Sequence, residues 1–145
     1  GASGLFAITQ TNQAQKDFAQ QLFDAVGISV WVDSEFDIHA VTAISGSAPA
    51  YFFLFMQSMI EAGVKQGLTE QAATNLTVQT ALGAAKMMIA SDESAESLRK
   101  KVTSPGGTTE QAILSFQKNQ LNDIVEQAMQ ACSDKSIDLS KVLAQ

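Results

Sequence analysis

The chain has 145 residues, of which 46% are hydrophobic and 17% charged, the profile of a folded globular protein and not of a disordered tail. A net charge of −6 and a pI near 4.6 disfavour sequence-independent binding to nucleic acid or anionic lipid, whose phosphates would be repelled. The single cysteine, Cys132, forms no internal disulfide and supplies no metal site, and a buried, inert thiol is the expected state.

The length suits one domain, or one domain plus a piece of a neighbour. The sequence opens on GASGLFA without a methionine and reads as though it begins in mid-fold, so a cut or processed product is expected. There is no signal-peptide pattern, and the longest apolar run, residues 48–56, is too short to span a bilayer. The cytoplasm is the simplest compartment, with no membrane partner.

Two short apolar segments at the front have strand character: residues 4–9 (GLFAIT) and residues 28–33 (ISVWVD). Between them Phe18, Leu22, Phe23 and Val26 fall at helical spacing over residues 13–26, and Gly27 stops the run. Two strands make a poor sheet by themselves. This strand–helix–strand piece therefore belongs to a larger sheet, and here its strands are expected to pair with each other or with a second copy, or to be poorly ordered.

From Ser34 onward the pattern is helical. Ser34 is placed to cap a helix over residues 35–44, which Gly46 interrupts. Pro49 suits the first turn of the next helix, since its missing N–H would be unpaired there anyway. That helix runs to about Gln66 and ends at Gly67. It has only one narrow polar stripe, Gln57, Glu61 and Lys65, and a helix apolar on its other faces needs more partners than about 110 residues supply. An intertwined oligomer is the reading, against a central core helix of a monomer.

Thr69 caps a third long helix over residues 70–90, where Gly83 among small residues suggests close passage of another backbone. Ser94 caps a short helix over residues 95–101. Thr108 or Thr109 caps another, a further helix covers residues 121–133, and the polar end frays, with Ile137, Leu139, Val142 and Leu143 able to dock. The fold class is mainly α, preceded by the strand–helix–strand remnant of an α/β domain. Residues 1–33 form the first piece and residues 34–145 the helical domain.

Acid–base chemistry has few candidates. His39 is the only histidine, and a lone histidine on such a helix is a surface or interface residue more often than a catalyst. Asp33, Glu35 and Asp37 lie nearby, but a helix start attracts acids for dipole reasons alone. No GxGxxG is present, so a complete dinucleotide site is not encoded here.

The loop VTSPGGTT, residues 102–109, stands apart. Its Ser104-Pro105-Gly106-Gly107 turn frees backbone N–H groups, and Thr108-Thr109 open a helix. Free N–H groups at a helix start, two hydroxyls and flexible glycines suit a carboxylate, although an ordinary turn and N-cap would look the same. Upstream, Arg99-Lys100-Lys101 is explained by the helix dipole or by an anionic ligand. Ser45-Gly46-Ser47-Ala48-Pro49 breaks a helix, either to turn a corner or to let a ligand approach closely.

Residues 40–68 (AVTAISGSAPAYFFLFMQSMIEAGVKQGL), GAAKMM at 83–88 and VTSPGGTT at 102–109 together resemble the carboxy-terminal half of pyrroline-5-carboxylate reductases. GASGLFA and ISVWVD are similar to the last part of that family's cofactor domain. The family usually reads SGSGPAY, and here Ala48 replaces the glycine, which tightens the turn.

The resemblance implies an enzyme that reduces pyrroline-5-carboxylate to proline with NADP or NAD as cofactor, working as a homodimer or larger assembly. Carried onto this chain, Thr108 and Thr109 backbone groups, Gly107 and the Ser104 hydroxyl hold the substrate carboxylate. Thr109 reaches the ring nitrogen and is the catalytic residue. Val102 lines the pocket, and Asp92 touches the ligand from the partner subunit. Lys101, Ser47 and Pro49 border the cofactor. The chain by itself should bind no nucleotide and catalyse nothing; the alternative is a stand-alone helical dimerisation module.

Overall fold

The computed structural model describes residues 1–143. Its first helix, α1 (Gln13–Asp24), starts at a capping box: the Asn12 side chain accepts the Gln15 N–H at 3.0 Å, and Gln15 Oε1 accepts the Asn12 N–H at 2.9 Å. The N-x-x-Q spacing is the signal for it. On either side lie β1 (Ala2–Leu5) and β2 (Ile28–Trp31), which pair in parallel with Ala2 opposite Ile28 and Leu5 opposite Trp31. The strands expected over residues 4–9 and 28–33 are thus shorter, and the first is shifted towards the amino end. A turn closed by the Thr11 N–H on the Ile8 carbonyl, 2.9 Å, takes up the residues after β1.

Gly4 explains how β1 is covered. A Cβ there would come 2.6 Å from the Val41 methyl groups, so α2 (Asp37–Val41) lies against the strand only because residue 4 has no side chain. Ser34 is not the N-cap expected of it: Phe36 holds that position without a side-chain cap, and Ser34 closes the turn before it. Its hydroxyl accepts the Asp37 N–H at 3.3 Å, and Asp37 Oδ2 accepts the Ser34 N–H at 2.9 Å.

Gly46 does not break the chain into two separate helices. Residues Thr42–Gly46 form a π-helical turn, closed by the Ser47 N–H on the Thr42 carbonyl at 2.8 Å. Thr42 and Ser45 hydroxyls donate back to the carbonyls of Ile38 (2.9 Å) and Val41 (3.0 Å). Such back-bonding competes with the ordinary ladder and widens it. The chain then enters α3 (Ala48–Lys65), with Pro49 in its first turn.

The helical stretch Asp37–Lys65 is consequently 29 residues long and contains an 18-residue window with a mean hydropathy of 1.3, long and apolar enough to cross a membrane by length and composition. The uninterrupted apolar run of the sequence understated it.

Gly67 ends α3 as expected. At φ +104 it allows the Leu68 N–H to reach the Gly63 carbonyl (3.1 Å) and its own N–H to reach that of Val64 (2.9 Å), the paired closure of a Schellman motif. Then α4 (Glu70–Ile89) begins on Thr69, whose hydroxyl accepts the Ala72 N–H at 3.2 Å, and α5 (Ala95–Lys101) on Ser94, which accepts the Ser97 N–H at 3.2 Å. The close approach between α3 and α4 is at Gly63, where a Cβ would lie 3.3 Å from the Ala73 Cβ. At Gly83 nothing among the described residues comes within 4 Å of the Cβ position, so the backbone passage expected there is not made by them.

Two more helices follow, α6 (Thr108–Lys118) and α7 (Leu121–Leu143). The fraying expected after residue 133 does not occur among the described residues. Pairs one turn apart sustain α7: Gln130 Nε2 on Asp134 Oδ1 at 2.8 Å and Lys141 Nζ by Asp138 Oδ1 at 3.4 Å.

The chain resolves into two compact units, residues 1–51 with those from Ile124 onward, and Phe52–Asp123. The buried apolar side chains are Leu5, Ala43, Ala48 and Ala73 only, and no large side chain among the described residues is fully buried. The accessible surface is 11097 Å², whereas a folded monomer of this mass exposes about 7,200 Å². The difference, on the order of 3,900 Å², is surface that one chain does not cover by itself.

Candidate active-site loop

The segment joining α5 to α6 is built by local hydrogen bonds within the second unit. The Val102 N–H returns to the Leu98 carbonyl at 3.3 Å, and the Thr103 hydroxyl donates to that of Arg99 at 2.7 Å, finishing α5. Ser104-Pro105-Gly106-Gly107 is a tight turn closed by the Gly107 N–H on the Ser104 carbonyl at 3.0 Å. Proline second and glycine third, the latter at φ +72, are the residues this turn geometry requires. Residue 107 must also lack a side chain: a Cβ there would sit 3.0 Å from the Ser104 carbonyl oxygen and 3.5 Å from its Cβ.

Gly107, and not Thr108 or Thr109, is the N-cap of α6. It is extended at φ −85, ψ 171, and no side chain caps the helix. Both threonines therefore lie inside the first turn, with their N–H groups pointing out of the helix start. A glycine N-cap costs a few tenths of a kcal/mol against serine or threonine, and it leaves those donors free.

Sequence reasoning overlooked Glu110. Its Oε2 accepts the Gly106 N–H at 2.8 Å, so the loop already holds one carboxylate. An acid three residues into a helix that opens on a threonine pair was the available signal. Ser104, Thr108 and Thr109 are exposed, Gly107 is half-buried, and Val102 is 56% exposed. The structure brings these five together on consecutive turns.

Two of the basic triplet, Lys100 and Lys101, are tied to acids of their own unit. Lys101 Nζ donates to Glu93 Oε1 at 2.5 Å, Ser97 donates to the other Glu93 oxygen at 2.7 Å, and Lys100 pairs with Glu96 at 2.7 Å. Hydrogen bonds from Lys101 and then Ser97 hold the Glu93 carboxyl below its usual range, and those from Lys100 do the same for Glu96. Lys100, Lys101 and Glu96 are well exposed and Glu93 is half-buried, and pairs so open to water contribute little to stability. Asp92 is exposed on the connection before α5.

Ser47 and Pro49 belong to the first unit. The Ser47 hydroxyl accepts from Cys132 Sγ at 3.2 Å, so the cysteine is half-buried and partnered where a fully buried thiol was expected. The Tyr51 hydroxyl is buried beside them and lacks a partner in good geometry. Contact with Ser47 and Tyr51 lowers the Cys132 pKa, and contact with Cys132 together with burial raises that of Tyr51. His39 packs edge-on to Phe36 with ring centres 5.5 Å apart, and its Nδ1 is 2.9 Å from the Ser136 hydroxyl. A cleft of about 1080 Å³ beside it is lined by residues such as Phe36, His39, Cys132 and Leu139. No residue of the 102–109 loop lines it.

A short parallel βαβ piece followed by long, under-buried helices, with an uncapped helix start behind an SPGG turn, makes this a mainly helical chain that opens on two paired strands. The family described as "Pyrroline-5-carboxylate reductase dimerisation" matches residues 35–139. The chain is 54% identical over its whole length to the pyrroline-5-carboxylate reductase of Pseudomonas aeruginosa, covering 53% of that protein. It is 47% identical over 140 residues to the one from Haemophilus influenzae, covering 96% of this chain and 52% of that protein.

Among solved structures, the Coxiella burnetii pyrroline-5-carboxylate reductase superposes with a TM-score of 0.92 at 43% identity, covering 95% of this chain and 51% of that one. The Plasmodium falciparum pyrroline carboxylate reductase, solved with NADP bound, gives 0.83 at 35% identity, covering 92% and 55%. The chain belongs to the pyrroline-5-carboxylate reductase family, and it spans about half the length of the curated relatives it matches.

Proposed function

We propose that this chain supplies the substrate-binding and dimerisation half of a reductase that converts 1-pyrroline-5-carboxylate to L-proline, the last step of proline biosynthesis. NADPH or NADH is the reductant. Residues 1–33 close the dinucleotide-binding domain, and residues 34–145 are the helical domain. The observation that carries this reading is the start of α6, where the N–H groups of Thr108 and Thr109 are left without a side-chain cap beside the Ser104 turn. Those donors, at the positive end of a helix, suit the carboxylate of a small ring.

In this arrangement the Thr108 and Thr109 N–H groups and the Ser104 hydroxyl bind the carboxylate. Gly107 lets the ring come close to the backbone, and Val102 gives it an apolar wall. The Thr109 hydroxyl accepts a hydrogen bond from the protonated ring nitrogen and so holds the iminium, the reactive form. Asp92 of a second copy closes the site. The chain's part is positioning, and no strong acid or base is needed.

The residues assigned to the cofactor fit it. Lys101 is exposed, and its surface pair with Glu93 is weak enough to exchange for a phosphate. Ser47 and Pro49, at the start of α3, border the nicotinamide. A bound nicotinamide nucleotide supplies the hydride. With no GxGxxG in the sequence, the chain by itself is expected to bind no nucleotide and catalyse nothing. The partner is a second copy, which covers the apolar faces of α3 and α4 in place of a membrane, and the enzyme works in the cytoplasm without nucleic acid.

The test is made in the complete enzyme. Thr109→Ala lowers the rate of proline formation by about 10-fold or more, because a hydrogen bond to a charged group contributes roughly 1.5–3 kcal/mol and about 1.4 kcal/mol is a factor of ten. Ser104→Ala chiefly raises the KM for substrate, since that contact is equal in ground and transition states. Neither changes the KM for the nucleotide. A Thr109→Ala enzyme running at the parental rate would leave the chain a dimerisation module with a structural loop.

A further inference from the structure

The Gly106 N–H belongs to the one left-handed residue of the SPGG turn, and the hydrogen bond that closes the turn does not use it. Glu110 takes it. In an ordinary capping box an acid at this helix position returns to the N-cap N–H. Here that group, on Gly107, is engaged by the Ser104 carbonyl, and the Glu110 carboxylate reaches one residue further, to Gly106 at 2.8 Å. The helix dipole accounts for an acid in the first turn, but not for a side chain folded back across the N-cap onto the turn.

We infer that Glu110 is a positioning residue for the substrate loop, resting on the reading of the loop proposed above. Its carboxylate ties the SPGG turn to the first turn of α6, so Ser104 is held at a fixed distance from the Thr108 and Thr109 donors. It also satisfies the Gly106 N–H, which would otherwise offer an incoming carboxylate a second seat one residue away from the productive one. Substrate is thereby directed to the N–H groups of Thr108 and Thr109.

The experiment compares Glu110→Ala, Glu110→Asp and Glu110→Gln in the complete enzyme, with Thr109→Ala alongside. Glutamine keeps an acceptor oxygen at the same reach, and aspartate is one methylene too short. Glu110→Ala and Glu110→Asp raise the KM for pyrroline-5-carboxylate about fivefold, ~1 kcal/mol on the affinity scale, with kcat within about twofold of the parent. Glu110→Gln restores the parental KM. If the alanine variant fails to fold, the aspartate variant carries the comparison.

A parental KM in Glu110→Ala or Glu110→Asp overturns the inference. So does a lowered KM in Glu110→Ala and Glu110→Gln together, which would make the carboxylate a competitor of the substrate. A Glu110→Gln enzyme as impaired as Glu110→Ala overturns it as well, since charge and not the acceptor would then matter. The Thr109→Ala control separates the two levels. If that variant is slow while Glu110→Ala matches the parent, only the role of Glu110 falls; if Thr109→Ala is unaffected, the reading of the loop falls with it.

Discussion

The α5–α6 loop and the α3–α4 pair from Phe52 onward lie in one compact unit, yet they are finished to very different degrees. Along the loop the groups that shape the backbone find partners close in sequence, Thr103 on Arg99, Gly107 on Ser104, Glu110 on Gly106 and Lys101 on Glu93, and the Thr108 and Thr109 N–H groups are left open. Along α3, by contrast, Phe52, Phe53 and Leu54 remain more than 60% exposed, and Leu76 on α4 is also mostly exposed. Hydrogen bonds are directional and short-ranged, so a loop can satisfy them from its own neighbourhood. Apolar surface is covered only by volume from elsewhere, and α3 and α4 lack that volume within one chain.

The comparison is broken most forcefully at Phe53. If α3 is a covered face in a dimer, Phe53→Glu places a charge where an aromatic ring would be buried on each copy, and burial of such a side chain contributes about 1.5–3 kcal/mol. The variant is expected to lose the dimer and, with so small a core of its own, to unfold or precipitate. Sedimentation and circular dichroism at low micromolar concentration decide it. A single exposed surface position tolerates such a change within about 0.5 kcal/mol, so a Phe53→Glu protein indistinguishable from the parent would mean that α3 is truly free. The parent's melting temperature should also rise with protein concentration, as linkage to dimerisation demands.

At Gly106 the expected effect is smaller and of the opposite character. At φ +72 an alanine is strained, and the left-handed conformation costs an L-residue about 1–2 kcal/mol. Because the strain is local, Gly106→Ala should lower stability by that amount at every protein concentration, while leaving the monomer–dimer equilibrium constant unchanged. A loss of stability that tracked dilution would tie the loop to the interface instead.

These two regions were also unequally legible in the sequence. Thr69, Ser94 and Gly67 cap or end their helices as their residue types dictate, since each supplies a local hydrogen bond or backbone angle that nothing distant overrides. The SPGG turn was readable for the same reason. The start of α6 was not: Thr108 looked like a cap, but the tight turn forces the extended N-cap onto Gly107. The Thr42–Gly46 turn was read as a break because glycine usually marks one, whereas two hydroxyls back-bonding to carbonyls widened the helix without ending it. The polar outer face of α7 hid a helix that runs on to Leu143. Lys101 could be assigned to a cofactor only by resemblance, and its partner Glu93, eight residues back, is not visible in any spacing rule.

That pair gives the finest test of how local the loop's electrostatics are. Glu93 titrates below its ordinary value of 4.5, first because Lys101 donates to it and then because Ser97 does. A depressed carboxyl pKa in the folded state stabilises the fold above the unfolded value, and the contribution is lost as pH falls through the folded one. Glu93→Gln is therefore expected to lower the melting midpoint slightly at pH 7, with the gap to the parent closing as the pH drops below about 4.5. Lys101 is exposed and Glu93 only half-buried, so high salt should shrink the gap at pH 7 as well. A gap that persisted in acid would assign the effect to the Ser97 hydrogen bond or to packing. The pairing of Lys101 would then not be what holds the end of α5 in front of the loop.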